Sequence, residues 1–147
     1  MFKWFGIVNL APHTKVAAFA EHLREGRLVG SRCRACGTQA FPPRADCDAC
    51  LSGDFELVER AGRATLLTWT RISAAPKGFE ALAPYTIGLV DVEGGGRAVA
   101  WIGPGVDAAS LVQGMELRLV PHVHEDREDI HVDYVLERPG APGAPRT

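Results

Sequence analysis

The chain of 147 residues has no basic excess: Lys and Arg number 16 against 18 Asp and Glu, a formal net charge of -2. That balance speaks against a non-specific nucleic-acid binder, whose phosphate contacts demand a positive surplus. No apolar run approaches the roughly 20 residues a helix needs to cross a bilayer, so no helical membrane span is expected. There is no G-x-S-x-G, no G-x-G-x-x-G after a strand and no P-loop, which removes the usual signatures of a nucleophile elbow, a dinucleotide fold and a phosphate cradle. The N-terminal stretch from Trp4 to Ala11 is apolar but short, and Pro12 and His13 follow where a signal peptidase needs small residues. It does not read as a secretory signal, and a cytoplasmic location is expected. What the chain does have is 46% apolar and 23% charged residues, enough apolar surface to offset ordering entropy. Gly 16 and Pro 10 point to many turns, hence short strands rather than a helix bundle.

Periodicity divides the chain into 1–26, an aromatic arm and a helix; 27–55, a cysteine-rich segment; 56–137, a strand-rich region; and 138–147, a Pro/Gly-rich tail. The spacing predicts a helix over 14–25. Thr14 offers its hydroxyl as cap, and Val16, Phe19, Ala20 and Leu23 form one apolar stripe. Gly26 ends it in the left-handed conformation. Segment 27–55 has almost no apolar residues for a core of its own, so something other than burial must hold it. Alternation then predicts strands over 65–72, 85–92, 97–103, 115–123 and 130–136. On the first, Leu66, Thr68, Thr70 and Ile72 are expected to share a face. A long loop occupies 73–84, the glycines of 94–96 make a hairpin turn, and Asp107 caps a short helical turn over 107–112. Five strands with a helical turn between the third and fourth is the order of a mainly β OB-fold barrel. An SH3-like barrel or small sandwich competes, and the helix position favours the OB-fold.

All four cysteines, Cys33, Cys36, Cys47 and Cys50, lie within eighteen residues as two C-x2-C pairs ten residues apart. Two such knuckles brought together by a hairpin place four thiolates at the corners of a tetrahedron, which suits zinc. Gly37 allows the tight turn after Cys36. Arg32, Arg34 and Arg44 sit close in sequence and are expected to offset the negative Zn–thiolate centre. Iron accepts the same four thiolates. A thioredoxin-type redox motif would need one pair at a strand-to-helix junction rather than two in a loop-rich segment. A site closed by four ligands leaves no position for a substrate, so its role is stability. No cysteine then remains as a nucleophile, and no catalytic constellation emerges. His122, His124 and His131 could converge as a second metal set, although solvent-facing polar positions explain them too. Phe2, Trp4 and Phe5 form an apolar arm that either packs on this chain or docks a partner.

The residues Leu28-Val29-Gly30-Ser31-Arg32-Cys33, Cys36-Gly37, Phe41-Pro42-Pro43-Arg44, Cys47 and Cys50 resemble the rubredoxin-like zinc ribbon of the DUF35 family. Gly62, Thr70, Ala75-Pro76, Gly78-Phe79, Pro84-Tyr85 and Ile87-Gly88 resemble the start of that family's OB-fold. The resemblance spans 14–137 and implies a helical segment, a zinc ribbon and a C-terminal five-stranded OB-fold barrel. It also implies an accessory subunit, inactive alone, of a thiolase-fold enzyme handling acyl-CoA. Benzoylsuccinyl-CoA thiolase, acetoacetyl-CoA thiolase complexes and steroid side-chain aldolases are settings of that kind. Within this reading the loop 75–85 offers Lys77 to a CoA phosphate and Phe79 to an apolar or adenine contact, since such barrels often bind through loops. A single-stranded nucleic-acid-binding OB-fold is the alternative. Arg71, Arg97 and Arg118 would serve it, yet Asp91, Glu116 and Asp133 interrupt any basic stripe.

Overall fold

The computed structural model describes residues 14–124 and 132–140. The aromatic arm with Phe2, Trp4 and Phe5, His131, the start of the strand expected at 130, and the end of the tail lie outside the described residues.

Helix α1 (Ala18–Arg24) starts later than Thr14. The chain enters through a turn in which Ala17 N–H donates to the Thr14 carbonyl at 3.2 Å, and the Thr14 hydroxyl accepts from Val16 N–H at 3.4 Å. Ala17 stands at the N-cap and offers no side-chain oxygen, so the hydroxyl serves a preceding turn rather than the helix. The stripe is as expected: Val16, Phe19, Ala20 and Leu23 are all buried. Gly26, at φ +74°, closes the helix.

Strands β1 (Val29–Cys33), β2 (Gln39–Ala40) and β3 (Phe55–Glu59) form a small antiparallel sheet in the order β2-β1-β3. Its third strand runs past the division drawn at residue 55. Strands β4 (Arg63–Ile72), β5 (Tyr85–Val92), β6 (Arg97–Ile102), β7 (Glu116–Val123) and β8 (Val132–Glu137) close a barrel in the order β4-β5-β6-β8-β7. Its β6–β8 pair is parallel and the rest are antiparallel. This is the OB-fold order. The predicted turn between the third and fourth barrel strands is a single 3-10 turn, Ala108–Ser110, with the Asp107 carboxylate accepting from Ala109 N–H at 2.9 Å.

The barrel interior is filled by a few large residues set against small ones. Leu66, Val90, Leu117, Leu119 and Leu136 are fully buried, and Ala98 and Ala100 lie beside them. Each buried Leu contributes roughly 1.5–3 kcal/mol of apolar transfer. A Cβ on Gly88 would meet Leu66, Ile102 and Leu136 side chains at 3.0–3.2 Å, so the interior has no room there. The larger members of β5 and β6 therefore point outward.

Two sequence expectations change here. The pairing of β4 with β5 slips between Leu66 and Thr68. This bulge puts Trp69, opposite Gly88, on the side of Leu66, and moves Thr68, Thr70 and Ile72 to the outer side. The face expected to run from Leu66 to Ile72 is broken by that one extra residue. The cysteine segment also does not lack a core. Leu28, Val29 and Phe41 belong to the same buried cluster as the barrel residues and α1. The Phe41 ring meets those of Phe19 and Tyr134, centroids 6.0 and 5.3 Å away. The joint is close: a Cβ on Gly96 would sit 2.4 Å from the Phe41 backbone nitrogen. Arg60 spans it, donating to the Gln39 side chain at 2.7 Å and to the Glu93 and Gly95 carbonyls at 2.6 and 2.8 Å. Partial burial lowers the Arg60 pKa, and the charge of Glu93 opposes that shift.

Candidate functional site

The two cysteine knuckles are built alike. Cys33 N–H donates to the Thr38 carbonyl and Gly37 N–H to the Cys33 carbonyl, both at 2.9 Å. In the second knuckle Cys47 N–H donates to the Ser52 carbonyl and Leu51 N–H to the Cys47 carbonyl, again at 2.9 Å. Gly37 takes φ +78°, as the first turn requires, and Leu51 takes φ +61° in the second. Leu51 thus holds a left-handed conformation that glycine adopts more easily, with its side chain 83% exposed.

The knuckles bring the four sulfurs within 4.8 Å of one another, with Cys33–Cys50 and Cys36–Cys47 each at 3.6 Å. A tetrahedron of Zn–S bonds of about 2.3 Å has edges of about 3.8 Å, so the donor set fits one zinc ion held by Cys33, Cys36, Cys47 and Cys50. The side-chain and backbone hydrogen bonds of Thr38 hold the Cys36 thiol down at about 6. Cys50 is pulled down by a backbone hydrogen bond at Ser52. Its hydrogen bonds with Cys36 and Cys33, together with burial, outweigh that and push it up to about 12. Zinc, when bound, deprotonates all four.

The arginines near the cysteines, expected to offset the metal centre, each meet a carboxylate. Arg32 binds Glu56, with Nε 2.7 Å from the carboxylate, Arg34 binds Asp54 at 3.3 Å, and Arg44 binds Asp48. Their charge goes to carboxylates on the ribbon surface. Ser31, the one buried polar residue of the ribbon, accepts from Arg44 N–H at 2.9 Å and fixes the loop that follows Phe41.

A second feature was not singled out in the sequence. Beyond Leu66, β4 pairs only with β5 among the described residues, because β7 meets β4 over Arg63 to Thr65 alone. The pair extends as an arm from the barrel. By register, Thr68, Thr70 and Ile72 share the outer face with Tyr85, Ile87 and Leu89, and with Val99 and Trp101 of β6. Tyr85 and Trp101 stack with centroids 4.5 Å apart and planes 9° from parallel. Val99, opposite Leu89 on this face, is 55% exposed. The loop with Lys77 and Phe79 caps the tip of the arm, Lys77 exposed and Phe79 half-buried. Neither residue lines the cavity of about 630 Å³ that lies between β4, β5 and β7 and includes Arg63, Glu93, Glu116 and Arg118. Arg97 is bound by Asp91 at 2.7 Å and Arg63 by Glu93, while Arg118 donates to the Ala61 carbonyl at 3.1 Å. His122 on β7 and His124 just past its end are neighbours, and both approach Asp133 of β8.

Comparison with known proteins matches residues 20–56 to the rubredoxin-like zinc ribbon domain of ChsH2 and residues 57–122 to the C-terminal OB-fold domain of ChsH2. A DUF35 domain-containing scaffold protein of Methanocaldococcus jannaschii is 33% identical over 134 residues, covering 88% of this chain and 93% of that protein. A scaffold protein of the same description from Pyrococcus furiosus is 33% identical over 117 residues, 78% of this chain and 85% of the relative. A probable enoyl-CoA hydratase alpha subunit of Thermomonospora curvata is 36% identical over 84 residues, 56% of this chain but 26% of that protein. Among solved structures, a chain of an Ltp2–ChsH2(DUF35) aldolase superposes with TM-score 0.70 at 28% identity, covering 88% of this chain and 98% of that one.

Proposed function

The chain belongs to the DUF35 family, and on that footing we propose that it is a non-catalytic scaffold subunit of a thiolase-type acyl-CoA complex. The observation that carries the reading is the outer face of β4, β5 and β6. A sheet face built from Ile87, Leu89, Val99 and the stacked Tyr85–Trp101 pair is costly to leave in water, and continuous apolar patches of this kind mark protein contacts. The names of relatives support the same direction: a scaffold protein, a probable enoyl-CoA hydratase alpha subunit, and a chain of an Ltp2–ChsH2(DUF35) aldolase. The four cysteines are gathered as metal ligands, so no thiol remains for acyl transfer. The nucleophile and its base would belong to a separate thiolase-fold chain. The arm would dock on that chain, its tip presenting Lys77 and Phe79 near the CoA entrance. A benzoylsuccinyl-CoA thiolase is one complex the reading covers, since the acyl pocket would be the partner's.

The test is co-purification from the native host, followed by thiolysis and aldol-cleavage assays with each chain alone and both together. Activity is expected only with both. Val99→Asp places a charge on the face at an exposed site, so it should abolish co-purification without changing the circular dichroism of the chain. Lys77→Glu should raise KM for the CoA thioester several-fold with the complex intact. Full activity from the partner alone would reject the proposal, as would activity from this chain alone.

A further inference from the structure

A cluster of two histidines and an aspartate gathers at the β7–β8 pair. His122 lies on β7 and His124 directly follows the strand's end, and their rings lie side by side. Asp133 is the direct cross-strand neighbour of His122 in the β7–β8 pair. The two imidazole rings are 4.3 Å apart. His124 Nε2 lies 3.1 Å from one Asp133 oxygen and His122 Nδ1 lies 3.6 Å from the other. One donor atom from each of the three residues falls within 4.8 Å of the others.

Three of these atoms, His122 Nδ1, His124 Nε2 and Asp133 Oδ1, are shut off from solvent and make no hydrogen bond. Leaving a buried polar atom unpaired costs about 1–3 kcal/mol. A cation held between the two imidazoles and the carboxylate would satisfy such atoms in a single step. Metal bonds of 2.0–2.2 Å in a tetrahedron put donor atoms roughly 3.3–3.6 Å apart, and the two His–Asp133 separations are 3.1 and 3.6 Å. We propose that His122, His124 and Asp133 form a second divalent metal site, separate from the ribbon. Its donors are two imidazoles and one carboxylate, so it takes a borderline ion such as Zn²⁺ or Co²⁺ rather than Ca²⁺ or Mg²⁺, which prefer all-oxygen sets. Three protein ligands leave at least one position open to water or to an outside ligand. The sequence offered the histidine pair but not the carboxylate, because Asp133 reaches it only through strand register. An ion-paired imidazolium and aspartate without metal is the competing state.

The experiment uses the full chain with the ribbon already loaded and Co²⁺ as probe. A second equivalent should bind without adding a sulfur-to-cobalt charge-transfer band, since no thiolate takes part. His124→Gln, similar in size, should abolish that second equivalent. Asp133→Asn should weaken it by more than about 10-fold, the loss typical of merely removing an outer-shell partner. The ribbon equivalent should be unchanged in both variants. On the wild type, adding Zn²⁺ beyond the ribbon equivalent should shift the NMR signals of two imidazoles. Saturation at one equivalent, a second equivalent that survives His124→Gln, or no imidazole shift would overturn the proposal.

Discussion

In the ribbon, residues 29–59, the buried apolar side chains are Val29, Cys33, Phe41 and Pro43, and its surface carries a series of Arg–carboxylate pairs. The barrel hides Leu66, Val90, Leu117, Leu119, Val132 and Leu136 almost completely. Surface ion pairs are worth at most about 1 kcal/mol each, so the ribbon's charges cannot replace such a core. Its order rests on the metal at one end and on the barrel at the other, where Phe41 and Val29 enter the common cluster. A module too small to bury itself is thus fastened at two points, one coordinate and one apolar.

Breaking the coordinate point should have the largest effect. Cys47→Ser removes one of four thiolates. Binding of a structural zinc is worth roughly 10–16 kcal/mol in small peptides, so losing it should exceed the ribbon's stability. Amide exchange at Val29–Cys33 and Phe55–Glu59 should become fast while Leu66, Leu117 and Leu119 stay protected. Equal loss of protection in both regions would show that the barrel depends on the metal as well.

Breaking the apolar point should cost less and spread further. Phe41→Ala empties a site between Phe19 and Tyr134 that is 1% exposed. Aromatic-to-Ala changes of this kind cost about 3–5 kcal/mol. Denaturant unfolding should show the loss in barrel and ribbon probes together, with the metal retained under native conditions. A loss confined to ribbon probes would mean that the barrel closes without the ribbon's contribution.

The smallest effect sharpens the comparison within the ribbon. Leu51 occupies in the second knuckle the place that Gly37 occupies in the first. Leu51→Gly should relieve about 1 kcal/mol of left-handed strain, partly offset by the greater entropy of the unfolded chain. A small rise in resistance to chelation is expected, with no change at the barrel. A fall would show that the exposed leucine makes a stabilising contact.

The apolar stripe of α1, the number and order of the barrel strands and the metal donors could all be read from the chain, because each is a matter of local spacing. Alternation also separated Val99 and Trp101 from Ala98 and Ala100, but could not say which pair faces inward. That depends on the barrel's radius, which admits alanine beside Leu66 and Leu136 and turns the larger residues out to make the face assigned here to a partner. The slip at Leu67 escaped the pattern because a bulge changes phase without changing composition. The carboxylate partners of Arg32 and Arg34 were not legible, because Glu56 and Asp54 lie 24 and 20 residues further along the chain.

The sequence by itself therefore determined which side chains can bind metal, which stretches alternate and where the chain turns, since short-range geometry sets these. Only the tertiary structure decided that Phe41 joins ribbon to barrel, that Asp133 meets His122 and His124, and that the β4–β5 arm carries its apolar residues outward. Each of those depends on register and curvature between segments far apart in the chain, which no local period encodes.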